Sequence, residues 1–306
     1  MKEYENIVYL DLQKTGSTTI RSVLSTLLDE RFNERKPHYA LPEGFDRSKL
    51  FFISVREPLS LYISLFNFGS GSRRGGLYGN LRRGGHAEMF DPSLGAFEAW
   101  LRFLLNPENA RVVQKEYARS TMAGTFGLLS FRLLYLSIPN SLKKMRSGKF
   151  QGREGVRELF QRRVYEDYVR TENLGGDLFA FLNHCSGRLK FRLPLTTPED
   201  LIALVPVRNA SRKVPDLTPQ SVSPELRQLV REREWLLYEA FGYDVDPKGR
   251  PPRLLASPAE ISAEAGMGIG SRLPKGERKA QRQLRIKTRR AKKAAATEES
   301  NVNPQT

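Results

Sequence analysis

Lys14-Thr15-Gly16-Ser17-Thr18-Thr19 brings a cation, a glycine and four hydroxyls together where an apolar run gives way to helical spacing. Ile7 to Leu10 is short, apolar and strand-like, and Asp11 to Gln13 turn the chain. Ile20, Val23, Leu24, Leu27 and Leu28 then recur as one buried helical face. A helix start has free N–H groups and the positive end of the helix dipole, so it attracts an anion. Lys14 adds a full charge, and Ser17, Thr18 and Thr19 add hydroxyl donors. The guest expected from these residues is a phosphate. The order is not that of a nucleoside-triphosphate loop, because no glycine precedes Lys14 and the lysine stands before Gly16 rather than after it.

A second unit of the same kind follows. Leu50 to Val55 is an apolar run suited to a buried parallel strand. Arg56-Glu57-Pro58 breaks it, and Leu59 to Phe68 reads as a helix with Pro58 in its first turn. Arg56 lies at the strand's end, and Ser64 lies about one and a half turns past Pro58. Together they can grip a second phosphate. The pair of units predicts two anion sites, each at a helix start, holding opposite ends of one doubly charged nucleotide.

The remaining elements must carry these two loops. Gly69 to Gly85, with seven glycines and four arginines, reads as a mobile basic loop. Helices are expected over 94–105, 110–119, 123–137, 153–163, 173–183 and 224–241, and a strand over 165–170. Residues 193–219 carry five prolines and read as mixed loop. Strands alternating with helices predict an α/β protein with a central parallel sheet flanked by helices. The expected division is a domain over 1–247 and a basic, disordered tail over 248–306.

The 306 residues carry a net charge of +16, unevenly spread. Between Arg272 and Lys293 stand 11 Lys and Arg against Glu277 alone, leaving +6 for the rest. Such a tail buries too little to fold alone, and its functional use would be contact with anionic lipid or nucleic acid. One cysteine, Cys185, excludes a disulfide framework and a cysteine-rich metal site. Met122 to Pro139 is the longest apolar stretch, and Arg132 interrupts it short of the roughly 18 residues of a membrane span. No apolar leader is read at the start, so a cytoplasmic location is expected, with peripheral membrane contact through the tail.

With these residues in place, the chain resembles the sulfotransferases that use 3′-phosphoadenosine 5′-phosphosulfate, in particular the carbohydrate 2-O-sulfotransferase branch. That family carries a loop similar to P-K-T-G-[GS]-[ST]-[ST], then a motif similar to V-R-[DE]-P-x-x-R-x-x-S. Gln13 replaces the frequent Pro, Glu57 the commoner Asp, and Leu61 the frequent Arg, which removes one possible phosphate contact. Arg170-Thr171-Glu172-Asn173-Leu174, Asn209-Ala210-Ser211 and Glu234 to Phe241 look like later segments of the family.

The resemblance spans about residues 5 to 245 and implies a P-loop-like three-layer fold. It implies that Lys14 contacts the bridging oxygen, that Thr15 to Thr19 bind the 5′-phosphate and that Arg56 and Ser64 hold the 3′-phosphate. Ser211, with Arg212 or Lys213, would close over the nucleotide, and no metal is required. An acceptor hydroxyl needs a general base. His38 lies where the 2-O-sulfating branch has its catalytic histidine; His86 is the second candidate, and His184 reads as structural. The implied acceptor is a glycan or glycolipid, with no specific nucleic acid. Arg73, Arg74, Arg82 and Arg83 could meet an anionic glycan, or lie in a loop that faces RNA or solvent.

Two other functions compete. A P-loop kinase predicts magnesium-dependent ATP binding and an acid at a strand end. A non-enzymatic nucleotide or nucleic-acid binder predicts that binding is lost with residues 256–306.

Overall fold

The computed structural model describes residues 1–30, 33–34, 41, 44–194, 197–204 and 214–251. They belong to the first of two units, Met1–Leu255. The second, Ala256–Thr306, lies outside the described residues, as do His38, Ser211, Arg212 and Lys213.

Among the described residues, five strands form one mixed sheet: β1 (Lys2–Glu3), β2 (Ile7–Leu10), β3 (Asn33–Glu34), β4 (Leu50–Val55) and β5 (Asp167–Arg170). Their order is β3-β1-β2-β4-β5. β2, β4 and β5 are parallel, as expected for the segments joined through helices. β1 and β3 add an antiparallel edge that the alternation of elements did not predict.

The helices among the described residues are α1 (Ser17–Leu27), α2 (Pro58–Ser72), α3 (Gly76–Arg83), α4 (Leu94–Leu105), α5 (Ala110–Val113), α6 (Lys115–Arg119) and α7 (Leu128–Ser137). They continue with α8 (Ser141–Met145), α9 (Gly152–Phe160), α10 (Leu174–His184), α11 (Pro198–Ala203), α12 (Pro224–Arg233) and α13 (Trp235–Phe241). Alternate strand residues face opposite ways. Ile7, Tyr9, Phe52 and Val169 pack under α1, α10 and α11. Val8, Leu10, Phe51, Ile53 and Val55 pack under a larger layer that includes α2, α4, α7, α12 and α13. Tyr9, Phe52 and Phe181 stack in series at 4.9 and 4.6 Å. Among the described residues no helix is long and apolar enough to cross a membrane.

Several expectations are corrected. Most of residues 69–85 is helical, in the end of α2 and in α3, because Leu77 and Leu81 bury one face of that glycine-rich segment. The helix expected over 123–137 starts only at Leu128, and residues 198–203 of the proline-rich stretch form α11, capped by Thr197. The helix expected over 224–241 breaks at Glu234. There the side chain turns inward, and the Arg233 carbonyl accepts from the Gly127 N–H at 2.5 Å. The helix expected over 110–119 breaks at Gln114, which is extended (φ −161°, ψ 124°).

Asp167 opens β5 almost fully buried, at 8% exposure, and its Oδ1 has no hydrogen-bond partner. Burial raises its carboxyl to about 6, with the His184 charge pulling down and Glu166 pushing up. The fold therefore prefers the neutral acid. Its contribution is full below the unfolded value of 3.8 and is lost as pH rises through about 6. Asp167→Asn should stabilise the protein at pH 7 by on the order of 1–2 kcal/mol, and scarcely at pH 3.5. Denaturant midpoints at the two pH values check this, and an equal shift at both would refute it.

Candidate functional site

The register brings the C-terminal ends of β2, β4 and β5 side by side: Leu10 pairs with Ile53, and Val55 with Arg170. Three loops leave that edge together, which is where open parallel sheets bind ligands. The first carries Lys14, the second Arg56, and the third Thr171 to Asn173.

The first loop is wound tightly. Lys14 and Gly16 both have left-handed backbones (φ 67° and 81°). Leu174 closes over Gly16, where an added Cβ would lie 3.2 Å from Leu174 Cδ2. Thr15 is fully buried, and its hydroxyl donates to Leu12 O at 2.7 Å. With that proton spent, Ser54 must donate to Thr15 (2.5 Å) and Tyr9 to Ser54 (2.5 Å). Thr15 therefore turns its hydroxyl to the sheet and has only its N–H to offer an anion. Gly16, Ser17 and Thr19 are half-buried and Thr18 is exposed, at a helix start with no side-chain cap.

The second loop differs. The Glu57 carboxylate accepts from the N–H groups of Leu59 (3.0 Å) and Ser60 (2.6 Å), and from the Tyr238 hydroxyl (2.8 Å). The start of α2 is thus capped by the chain's own acid, which corrects the expectation of an anion site at that helix start. Arg56 and Ser64, both half-buried, remain as side-chain donors. From Leu59 to Gly69 all of α2 is buried except Ser60, Ser64 and Phe68, spaced four apart on one face. At the far end of that stripe the Lys14 ammonium lies 4.4 Å from the centre of the Phe68 ring.

Lys14 and Arg56 share one field. Burial, and then the Arg56 charge, lower the Lys14 pKa. Burial lowers that of Arg56, against the nearby charges of Glu172 and Glu57 and the Tyr243 phenol. Arg56 stays cationic at neutral pH.

The third loop ties the other two. Thr171 Oγ1 donates to Val55 O (2.9 Å). Glu172 accepts from the Glu57 N–H (2.9 Å) and the Tyr243 hydroxyl (3.1 Å). Arg170 and Asp177 form a buried two-pronged pair (2.7 and 2.8 Å), and Arg170 also donates to Gly249 O (2.8 Å).

Sequence reasoning gave no site role to Phe68, Arg132, Glu172 or Glu234. Phe68 was findable as the residue one turn beyond Ser64. Arg132, noted only as a break in an apolar stretch, donates Nε to Gln114 Oε1 and Nη1 to Gln13 Oε1, each at 3.1 Å. Burial pushes it down to about 10, against the Tyr62 phenol and the Glu234 carboxylate.

His86 packs on Phe103 at 4.6 Å, with Nδ1 4.0 Å from Glu88. His184 ends α10, about 15 Å along its axis from Leu174, so it lies away from the cleft. Arg73, Arg74, Arg82 and Arg83 are exposed. Among the described residues no group of three or more His, Cys, Asp and Glu could hold a metal ion.

No protein-family model, curated protein or solved structure matches this chain.

If Arg56 holds the Lys14 pKa down, Arg56→Met should raise it while burial still keeps it below an ordinary lysine. An NMR titration of the Lys14 ε-carbon reads this directly. An unchanged pKa would mean that the two cations do not share a cleft.

Proposed function

We propose that the protein is a sulfotransferase that moves a sulfuryl group from 3′-phosphoadenosine 5′-phosphosulfate to a hydroxyl of a glycan or glycolipid, on a P-loop-like fold. One observation carries the reading. Two half-buried cations, Lys14 and Arg56, stand on loops from neighbouring parallel strands, and the Arg56 charge reaches Lys14. Two positive charges so placed attract an anion together. A nucleotide with an anionic group at each end meets both.

In this reading Lys14 donates to the oxygen that bridges phosphorus and sulfur. It balances the charge that develops there as the sulfur–oxygen bond breaks and the acceptor oxygen bonds to sulfur in line. The N–H groups of Thr15 to Thr19, with the hydroxyls of Ser17, Thr18 and Thr19, hold the 5′-phosphate. Arg56 and Ser64 hold the 3′-phosphate and so discriminate against nucleotides without one. His38 takes the acceptor's proton, and Ser211 with Arg212 covers the nucleotide; these are roles carried over from the family resemblance. The same reading keeps the basic tail as a contact for an anionic membrane surface and the protein in the cytoplasm.

Calorimetry decides between donors. Adenosine 3′,5′-bisphosphate should bind more tightly than ATP, and equal or tighter ATP binding would sink the proposal. Arg56→Ala should cost about 2–4 kcal/mol of bisphosphate binding, as for a charge-assisted pair. His38→Ala should leave that affinity intact and lower turnover by about 10²-fold or more. Unchanged turnover removes His38 from the mechanism.

A further inference from the structure

Lys14 is held in a left-handed turn that costs a residue with a Cβ on the order of 1–3 kcal/mol. Such a conformation persists only where neighbours over-determine it. Thr15 and Gly16 are fixed from the sheet and from Leu174. The residue before Lys14 is fixed from the other face, where Gln13 Oε1 accepts from Arg132 Nη1.

We infer that Arg132 is a positioning residue for the anion loop, acting through Gln13 to hold Lys14 in its turn. The inference rests on reading residues 14–19 as the 5′-phosphate cradle. Arg132 is itself anchored at both ends. Its helix, α7, starts on Glu234, whose carboxylate accepts from the N–H groups of Leu129 (3.1 Å) and Ser130 (2.8 Å), the Ser130 hydroxyl (2.8 Å) and the Tyr62 hydroxyl. Its Nε is held by Gln114, the extended residue between α5 and α6. Both guanidinium bonds go to neutral amide oxygens. Among the described residues no carboxylate lies within ion-pair distance of Arg132. The clamp is thus made between a guanidinium and neutral amides.

The test compares two nucleotides. Adenosine 3′,5′-bisphosphate fills the loop and the Arg56 site; adenosine 3′-monophosphate fills only the latter. In Gln13→Met, a half-buried position that should fold normally, and in Arg132→Lys, the preference for the bisphosphate should fall about tenfold, with 3′-monophosphate affinity held within about twofold. The double variant should lose no more than the more damaging single variant. Equal weakening of both nucleotides would indicate general loosening and overturn the inference, as would an unchanged preference. If the wild-type protein binds neither nucleotide, the sulfotransferase reading fails, and the clamp is judged without ligand. Amide hydrogen exchange at residues 14–17 should then be about tenfold faster in Gln13→Met, with the α1 interior unchanged; equal exchange would overturn it.

Discussion

Glu57, Glu172 and Glu234 bring negative charge within the electrostatic reach of Arg56 or Arg132, yet each carboxylate is engaged by other donors. Glu57 closes the start of α2, Glu234 closes the start of α7, and Glu172 holds the Glu57 N–H and the Tyr243 hydroxyl. A carboxylate that caps a helix satisfies orphan N–H groups and the helix dipole together. Its charge is partly balanced there, and its oxygens are not offered to the cleft. The positive character of the cleft thus depends on where the acids are spent as much as on the number of basic residues.

The same economy explains two irregularities. Straight helices across 110–119 and 224–241 would satisfy local propensity, but Gln114 and Glu234 leave helical geometry. Gln114 turns to hold Arg132, and Glu234 turns to cap the helix that carries it. Gly127 makes the second contact possible, since a Cβ there would lie 2.0 Å from Glu234 Oε1. Local helix energy is given up in two places, and both concessions converge on α7, the helix that reaches Gln13.

The two strand–loop–helix units were legible because apolar runs and 3.6-residue spacing are local, and the parallel pairing of β2, β4 and β5 follows from the helices between them. Lys14 and Arg56 could be found by type and position. The capping of α2 by Glu57 could have been suspected from an acid directly before Pro58. What the sequence could not reveal was long-range. Glu234 lies 104 residues from Ser130, and Arg132 lies 119 from Gln13, and such contacts leave no periodic trace. The helical character of 69–85 was hidden for a different reason. Its glycines and arginines argue for loop, and only burial of Leu77 and Leu81 overrides them.

The layout of the charges also bears on the proposed donor. A triphosphate concentrates its anionic groups on one loop. Here the second cation stands on the next strand's loop, and the α2 stripe of Ser60, Ser64 and Phe68 runs about 12 Å between the Arg56 end and the Lys14 end. Along it the exposed chemistry is two hydroxyls and one aromatic face. In the proposed reading, a ligand along this stripe carries one anionic group against Arg56 and Ser64 and another towards Lys14. A nucleoside with phosphate groups on its 3′ and 5′ oxygens has that distribution, and a nucleoside triphosphate does not.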